Sequence, residues 1–346
     1  MTPATPPAKV AVLGAGSWGT TFAKIAADSG AARGTEVLVW ARRPEAAEEI
    51  NRTRRNTRYL KDIELPANLH ASADPAEVLA GAQLVVLAVP AQTLREQLRE
   101  FKDLFPEGAV ILSLMKGLEV GTDARMSTVI AEELDWPQER IAVLSGPNLA
   151  MEIAREEPTA SVVACSDIGV AGWIAAACTA PYFRPYTNTD VIGTEIGGIV
   201  KNVIALAVGI CEGKQMGDNT KASVMTRGLA ETTRLAVALG GKTETLFGLS
   251  GMGDLIATCS SSLSRNHTAG RLLAQGLTLD EVTETMAQTA EGIKSAQAVL
   301  DRATQLGVYM PITENVVAVL QGAISVDELG PRLLARELKP EGVHAS

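Results

Sequence analysis

A lysine is the best candidate for acid–base chemistry in this chain, because histidine is scarce. None of the three histidines has an obvious catalytic setting; they are His70, His267 and His344. Lys201, by contrast, lies in the run IGGIVKNVI at 196–204, where nearly every other residue is apolar. Burial disfavours the charged form of an amine, which suits proton transfer near neutral pH. We therefore predict that Lys201 is a general acid and base. The alternative is a structural lysine that pairs with a carboxylate such as Glu195, or whose amine reaches water.

Further polar residues follow two strand-like runs. Lys116 comes after the apolar run 110–114. Ser145-Gly146-Pro147-Asn148 follows the run 141–144 in the same way. Ligands of open α/β sheets bind beyond the carboxyl ends of the strands, so Lys116 places a cation where a ligand is expected. The backbone amides of 145–148 and the Asn148 side chain are candidates to hold substrate oxygens. Each motif alone is also compatible with an ordinary turn after a strand.

Two loop motifs in the second half of the chain offer a carboxylate and a guanidinium group. Gly251-Met252-Gly253-Asp254 is a glycine turn that presents one acid, and Ser264-Arg265-Asn266 follows it. Asp254 is a candidate to orient a hydroxyl or to tune Lys201, and Arg265 is a candidate to grip a phosphate. Both motifs are common loop sequences, so each carries little weight alone.

The segment Gly14-Ala15-Gly16-Ser17-Trp18-Gly19 has the spacing of a dinucleotide-binding turn. It follows the apolar run 9–13, a predicted buried strand, and precedes the helix-like stretch 22–29. In that setting the first glycine permits the tight turn, the second lets the backbone approach a diphosphate, and the third lets helix and strand pack closely. The diphosphate would lie at the positive end of the helix dipole. A glycine turn in an unrelated α/β unit is the alternative.

The end of the second predicted strand bears on which nucleotide binds. The run 36–40 is followed by Arg42 and Arg43, with no carboxylate to hold the ribose 2′-hydroxyl of NAD. Guanidinium groups bind a 2′-phosphate through charge-assisted hydrogen bonds. We therefore favour NADP over NAD as cofactor. The alternative is a pair of solvated arginines ahead of a helix that begins at Pro44.

Composition and charge limit the class of protein. The chain has 346 residues, of which 46% are hydrophobic, enough for more than one core. A formal net charge of −9 argues against nucleic acid or an anionic membrane as partner. The four cysteines show no C-x-x-C spacing and the N-terminus resembles no signal sequence, so we expect no metal and a cytoplasmic location. The apolar stretch 196–211 contains Lys201 and Asn202, which favours a buried helix over a membrane span.

Alternating strand-like and helix-like runs fill the first half of the chain and predict an α/β fold. A Rossmann-like, mainly parallel sheet should form from the runs 9–13, 36–40, 84–89, 110–114, 141–144, 160–164 and 182–187. From about Thr189 onward only helical patterns are convincing. We therefore predict a dinucleotide-binding domain at 1–189 and an all-α, substrate-binding and catalytic domain at 190–346.

A lysine acid/base, a second lysine, an arginine and a nicotinamide site together indicate hydride transfer involving a small anionic carbonyl or alcohol. The residues alone leave open whether that substrate carries a phosphate or a carboxylate. Six motifs occur in an order known for one family: GAGSWG at 14–19, KGLE at 116–119, SGPN at 145–148, VKNV at 200–203, GMGD at 251–254 and SRN at 264–266. In these motifs the chain resembles the bacterial type of NAD(P)-dependent sn-glycerol-3-phosphate dehydrogenase, from the first strand to about Gln321.

The resemblance implies reversible reduction of dihydroxyacetone phosphate to sn-glycerol 3-phosphate with NADPH or NADH, which supplies glycerophospholipid synthesis. By motif match Lys201 donates and accepts the proton. The resemblance also implies that the substrate contacts Lys116, Gly146, Asn148, Lys201, Asp254, Ser264, Arg265 and Asn266. It implies that the cofactor contacts Gly14, Gly16, Ser17, Trp18, Gly19, Arg42, Arg43, Lys116, Ala150, Arg265, Thr289 and Glu291. Two positions depart from the family pattern, since Asn148 replaces a Ser or Thr and Thr289 replaces an apolar residue.

The family further implies a homodimer. Among enzymes, the alternative is a 6-phosphogluconate or 3-hydroxyacid dehydrogenase, which shares the two-part architecture and a lysine on a central helix. The KGLE and SRN motifs favour the triose phosphate enzyme over it. A protein that senses NADP(H) without turnover is an alternative from another class. It predicts damaged catalytic positions, whereas the chain retains Lys116, Lys201, Asp254 and Arg265.

Overall fold

The chain forms two compact units in the computed structural model, which describes residues 5–286 and 290–335. Among the described residues, the first unit comprises those up to residue 115 together with residues 126–191. The second comprises residues 116–125 and the described residues from 192 onward. Our predicted boundary is a single cut at 189/190, whereas the segment 116–125 groups with the second unit.

An eight-stranded sheet forms the core of the first unit. Its strands are β1 (Lys9–Leu13), β2 (Glu36–Trp40), β3 (Leu69–Ser72), β4 (Leu84–Leu87), β5 (Val110–Ser113), β6 (Ile141–Ser145), β7 (Thr159–Ala164) and β8 (Phe183–Asn188). Their order in the sheet is β3-β2-β1-β4-β5-β6-β7-β8. All neighbouring strands are parallel except β6 and β7, so the prediction of a mainly parallel, Rossmann-like sheet is confirmed. The strand order reverses between β1 and β4, where ligands bind in sheets of this kind.

Continuous apolar strands explain how this sheet is packed. Every residue of β4 is buried, as are four of the five residues of β1 and of β2. Such strands are typical of a parallel sheet that has helices on both faces. The helices of this unit are α1 (Ser17–Gly30), α2 (Pro44–Thr53), α3 (Thr57–Leu60), α4 (Pro75–Leu79), α5 (Leu94–Phe101), α6 (Met126–Leu134), α7 (Ala150–Ala154) and α8 (Ile168–Ala177).

Strand β3 lies outside the strand-like runs predicted from the sequence. Only Leu69 and Ala71 of its four residues are buried, so it lacks the continuous apolar run of the other strands. It lies at the edge of the sheet, where the side chain of Asn51 takes the place of a further strand. Asn51 Nδ2 donates to the Ala71 carbonyl at 2.8 Å, and the Ala71 amide donates to Asn51 Oδ1 at 2.8 Å. This side-chain pairing covers part of an otherwise open edge.

The second unit is helical, as predicted. Its helices are α9 (Val191–Gly213), α10 (Asp218–Ala238), α11 (Thr243–Leu246), α12 (Asp254–Ser260), α13 (Arg265–Ala274), α14 (Leu279–Thr285), α15 (Glu291–Gln305), α16 (Pro311–Leu320) and α17 (Val326–Leu334). A π-helical turn, Leu249–Gly253, precedes α12.

Helix α9 is the central element of this unit. Among the described helices it alone is long and apolar enough to cross a membrane, but 89% of its most apolar window is buried inside the structure. Glycines let α13 pack directly on its backbone. A Cβ at Gly209 would lie 2.1 Å from the His267 carbonyl oxygen, and a Cβ at Gly270 would lie 2.1 Å from that of Leu206. The apolar composition of α9 is therefore that of a core helix, as we predicted.

Candidate functional site

The glycine-rich turn lies between β1 and α1. Gly14 has a φ of +122°, which favours glycine, and a Cβ there would lie 2.5 Å from the carbonyl oxygen of Ala88. A Cβ at Gly19 would lie 2.0 Å from the Gly14 carbonyl oxygen, so the helix can approach the turn only with glycine at this position. A Cβ at Gly16, by contrast, would meet nothing within 4 Å. The turn is therefore tight at both ends and open at its middle glycine.

The first turn of α1 can hold an anion. Gly16 supplies no side-chain cap, and the first turn, which begins at Ser17, contains no acidic residue. The helix has 14 residues, so its free amide groups and its dipole attract negative charge. Together with the open space at Gly16, these features fit the diphosphate of a dinucleotide. Within the described chain the buried indole Nε1 of Trp18 has no hydrogen-bond partner, although its ring packs against Phe22.

Two arginines follow β2 at the same edge of the sheet. Leu13 of β1 pairs with Trp40 of β2, and the Gly14 amide donates to the Trp40 carbonyl at 3.3 Å. Arg42 and Arg43 come next, and both are exposed. No carboxylate stands at positions 41–43. This edge therefore presents two guanidinium groups where an NAD site usually has an acid.

Gly146 and Asn148 follow β6 in the first unit. Gly146 has a φ of +140°, and a Cβ there would lie 3.0 Å from the Ser161 hydroxyl oxygen. Both polar atoms of the Asn148 side chain are buried without a hydrogen-bond partner among the described residues. An unpartnered buried amide costs free energy, so Asn148 is suited to bind a ligand. Ala150 begins α7, and its carbonyl accepts from Thr21 Oγ1 at 3.2 Å, which joins α7 to α1.

Two amines, a carboxylate and a hydroxyl meet in the second unit. Lys116 Nζ lies 2.6 Å from Asp254 Oδ2, and Lys201 Nζ lies 2.9 Å from Asp254 Oδ1. Lys201 Nζ also donates to Thr258 Oγ1 at 2.5 Å, and this hydroxyl donates to Asp254 Oδ1 at 3.3 Å. Asp254 is 1% exposed and Lys201 is 8% exposed. We call these four residues the amine cluster.

Burial changes the acidity of the second lysine in the cluster. Loss of solvation lowers the pKa of Lys116 from 10.5 to about 8. The Asp254 carboxylate acts in the opposite direction, and the charge of Lys201 lowers the pKa further. An amine with a pKa of about 8 can hold or release a proton near neutral pH.

A close backbone approach places the carboxylate beside α9. A Cβ at Gly197 would lie 2.5 Å from the Ser250 carbonyl oxygen, so glycine lets the π-helical turn lie directly on α9. That turn leads into α12, whose first residue is Asp254. Glu195, the carboxylate that we considered as a structural partner of Lys201, pairs instead with Arg125 at 2.5 Å.

Helix α13 begins at Arg265, the residue predicted to bind a phosphate. The Ser264 hydroxyl caps the helix by accepting from the His267 amide at 3.3 Å. Arg265 is exposed and forms no hydrogen bond or ion pair with the residues that the structure describes. The nearby Glu291 acts on it electrostatically. Arg265 is therefore available to an anionic ligand.

Asn266 braces the start of α15. Its Nδ2 donates to Asn202 Oδ1 at 2.9 Å, and its Oδ1 accepts from the Gly292 amide at 2.9 Å. These bonds hold α9, α13 and the position next to Glu291 together. Burial raises the pKa of Glu291 above its usual value, and the positive charges of Arg265 and Lys294 oppose this effect only in part. Thr289, a predicted cofactor contact, lies outside the described residues.

Thr258 and Asn202 are contacts for which the sequence predicted no role. Thr258 lies four residues after Asp254, and this spacing puts both on one face of a helix. Asn202 directly follows Lys201. The four-residue spacing is a signal that could have identified Thr258, whereas the partner of Asn202 comes from α13 and is visible only in the fold.

Comparison with known proteins shows the family of this chain. The family described as NAD-dependent glycerol-3-phosphate dehydrogenase matches with its N-terminus at residues 9–171 and its C-terminus at residues 190–330. A Thermobifida fusca protein named glycerol-3-phosphate dehydrogenase (NAD(P)+) is 56% identical over 333 residues, covering 96% of this chain and 98% of that protein. A Streptomyces coelicolor protein of the same name is 54% identical, covering 97% and 98%.

A solved structure agrees with these sequence relationships. The crystal structure of glycerol-3-phosphate dehydrogenase from Coxiella burnetii is 34% identical, with a TM-score of 0.89 over 95% of this chain and 99% of that one. Both the family match and the relatives extend over nearly the whole chain. The chain therefore belongs to the NAD-dependent glycerol-3-phosphate dehydrogenase family.

Proposed function

We propose that this protein is an oxidoreductase that reduces dihydroxyacetone phosphate reversibly to sn-glycerol 3-phosphate with NADPH or NADH. The relatives that carry the corresponding name match over nearly their whole length. The observation that carries the proposal is the amine cluster, in which Lys116 and Lys201 contact the buried Asp254 carboxylate. The first unit adds a glycine-rich turn that fits a diphosphate.

Lys201 is the proton donor in reduction and the proton acceptor in oxidation. The nicotinamide supplies or takes the hydride when the cofactor is bound. Negative charge grows on the substrate oxygen during reduction, and the Lys201 ammonium group stabilises that charge and protonates the oxygen. Asp254 and Thr258 fix the amine at 2.9 Å and 2.5 Å, so its position is set before the substrate binds.

Lys116 places a second amine beside the same carboxylate. With a pKa of about 8 it carries a positive charge over most of the neutral range, which attracts an anionic substrate. It contacts both substrate and cofactor in this proposal.

Arg265 binds the substrate phosphate. It begins α13, a helix of ten residues whose free amide groups also favour an anion. Ser264 and Asn266 complete this part of the substrate site, and Gly146 and Asn148 provide the remaining contacts. A phosphate held away from the reacting carbon uses its binding energy to orient the carbonyl.

The first unit holds the cofactor through the turn Gly14–Gly19, together with Ala150, while Glu291 contributes from α15. We infer a preference for NADPH because Arg42 and Arg43 are exposed at the end of β2 without a neighbouring acid. The protein is a homodimer in the cytoplasm, and its product sn-glycerol 3-phosphate supplies glycerophospholipid synthesis. The burial of α9 and the net charge of −9 support a protein that neither inserts into membranes nor binds nucleic acid.

A steady-state assay tests the proposal. Purified protein should oxidise NADPH faster than NADH in the presence of dihydroxyacetone phosphate. In the reverse direction it should oxidise sn-glycerol 3-phosphate but neither 6-phosphogluconate nor a 3-hydroxy acid. Turnover of one of those two substrates, with none of the triose phosphate, would contradict the proposal.

A further inference from the structure

The loop that carries Lys116 contacts α9 through an ion pair in addition to the amine cluster. This loop, residues 116–125, belongs to the second unit, and we call it the strap. At its far end Arg125 Nη1 lies 2.5 Å from Glu195 Oε2. At its near end Lys116 reaches Asp254, which also binds Lys201. Glu195 and Lys201 both lie on α9, so the contacts form a closed path that leaves this helix and returns to it.

Backbone hydrogen bonds within the strap restrict its conformation. Leu118 and Arg125 form an antiparallel bridge, so the two ends of the strap lie side by side. Within it the Glu119 amide donates to the Ala124 carbonyl at 3.0 Å, and the Asp123 amide donates to the Glu119 carbonyl at 2.9 Å. A displacement of Arg125 is therefore passed through the bridge to Leu118, which is only two residues from Lys116.

Burial holds the strap in place at both of its ends. Leu118 is 1% exposed and packs in the same apolar core as α9. The Glu195 side chain is 3% exposed, and that of Arg125 is 22% exposed. A buried carboxylate is strongly destabilised when a cationic partner is removed. The structure in which Arg125 contacts Glu195 is therefore lower in free energy than one in which this contact is broken.

We propose that Arg125 and Glu195 are positioning residues, whose ion pair fixes the strap so that Lys116 meets Asp254 beside Lys201. This inference rests on the proposed role of Lys116 in binding substrate and cofactor. A fixed backbone at Lys116 keeps its side chain within reach of Asp254, whereas a shift of the strap would carry the amine away from the carboxylate. Neither residue belongs to the motifs that carry the predicted site.

Substitution of the pair tests the proposal in the full-length enzyme. Arg125→Met should lower kcat/KM for dihydroxyacetone phosphate at least tenfold, and Arg125→Lys should recover most of it. The alkaline limb of the pH profile should move to higher pH, because an amine displaced into water regains a higher pKa. Lys214→Met is the control, since it breaks an ion pair with Asp327 in the same unit and should change kcat/KM less than twofold.

A double-mutant cycle separates positioning from general stability. Because Arg125 acts through Lys116, Arg125→Met should cost less than a further twofold in a Lys116→Met background, and losses that multiply would overturn the inference. Calorimetric affinity for dihydroxyacetone phosphate in the presence of NADPH provides the same cycle if turnover is too low. Should Arg125→Met fail to fold, Glu195→Gln carries the test with the same expectations. If Lys116→Met alone keeps parental kcat/KM, the proposed role of Lys116 is wrong and the inference falls with it.

Discussion

Asp254→Asn tests the electrostatics of the amine cluster most sharply. The substitution keeps the shape of the side chain but removes the charge that lies 2.6 Å from Lys116 Nζ and 2.9 Å from Lys201 Nζ. Removing one partner of a buried ion pair costs about 3–5 kcal/mol. If about 3 kcal/mol of this reaches the transition state, kcat/KM falls roughly 100-fold. The pKa of Lys116 should also fall further below 8, because the carboxylate that now opposes the effect of burial is lost.

The assay is kcat/KM for dihydroxyacetone phosphate, measured across the neutral and alkaline pH range for parent and variant. The alkaline limb should move to lower pH in Asp254→Asn, the opposite direction to that expected when the strap is released. Asp218→Asn is the matched control, because its carboxylate is 97% exposed and pairs with Lys221 at 2.7 Å. Exposed pairs contribute little, so this variant should resemble the parent.

Thermal unfolding shows whether the cost is expressed in stability instead. A loss of 1 kcal/mol lowers the Tm of a unit of this size by about 2–4 °C. A folded Asp254→Asn variant with parental kcat/KM and an unmoved pH profile would refute the reasoning. It would show that neither amine depends on this carboxylate.

Substitutions in the cofactor site and at the buried Glu231 should each have a distinct effect. Gly16→Ala should weaken dinucleotide binding at least about tenfold, whereas Gly217→Ala, at an equally open position before α10, should not; equal effects would argue against a diphosphate at Gly16. Replacing Arg42 and Arg43 by glutamine should raise the KM for NADPH about 10- to 100-fold more than that for NADH, and equal losses would exclude a 2′-phosphate contact. Burial raises the pKa of Glu231 from 4.5 to about 7, so its contribution to stability is full below pH 4.5 and is lost as the pH rises through 7. The thermal unfolding midpoint should therefore fall less with rising pH in Glu231→Gln than in the parent. An unchanged dependence of the midpoint on pH would contradict this prediction.

The fold was predictable wherever local pattern and final burial agree. Strands such as β1 and β4 are continuous apolar runs and are buried, so their sequences predict them directly. Strand β3 is only half buried and its edge is completed by a side chain of α2, which no local pattern reveals. Helix α17 carries mixed local signals, since Ser325 and Glu328 form a capping box at its start but Pro331 lies within it.

The parts of the site that are formed by residues close in sequence were predictable. The glycine-rich turn joins neighbouring elements, so its spacing alone predicts the open position at Gly16. The contact between Lys116 and Asp254 joins residues that are 138 positions apart. The pair of Arg125 and Glu195 spans 70 positions. These pairings depend on how the strap and α12 pack on α9, which sequence spacing does not encode.

Lys201→Met is the most direct test of the central claim, that the buried amine of α9 transfers the proton. The variant keeps an apolar side chain of similar length, so α9 should remain packed. Reduction of dihydroxyacetone phosphate should slow about 100- to 10,000-fold, while the calorimetric affinity for NADPH should change less than about twofold. Turnover within about tenfold of the parent would contradict the account, because a group that transfers the proton is worth more than that.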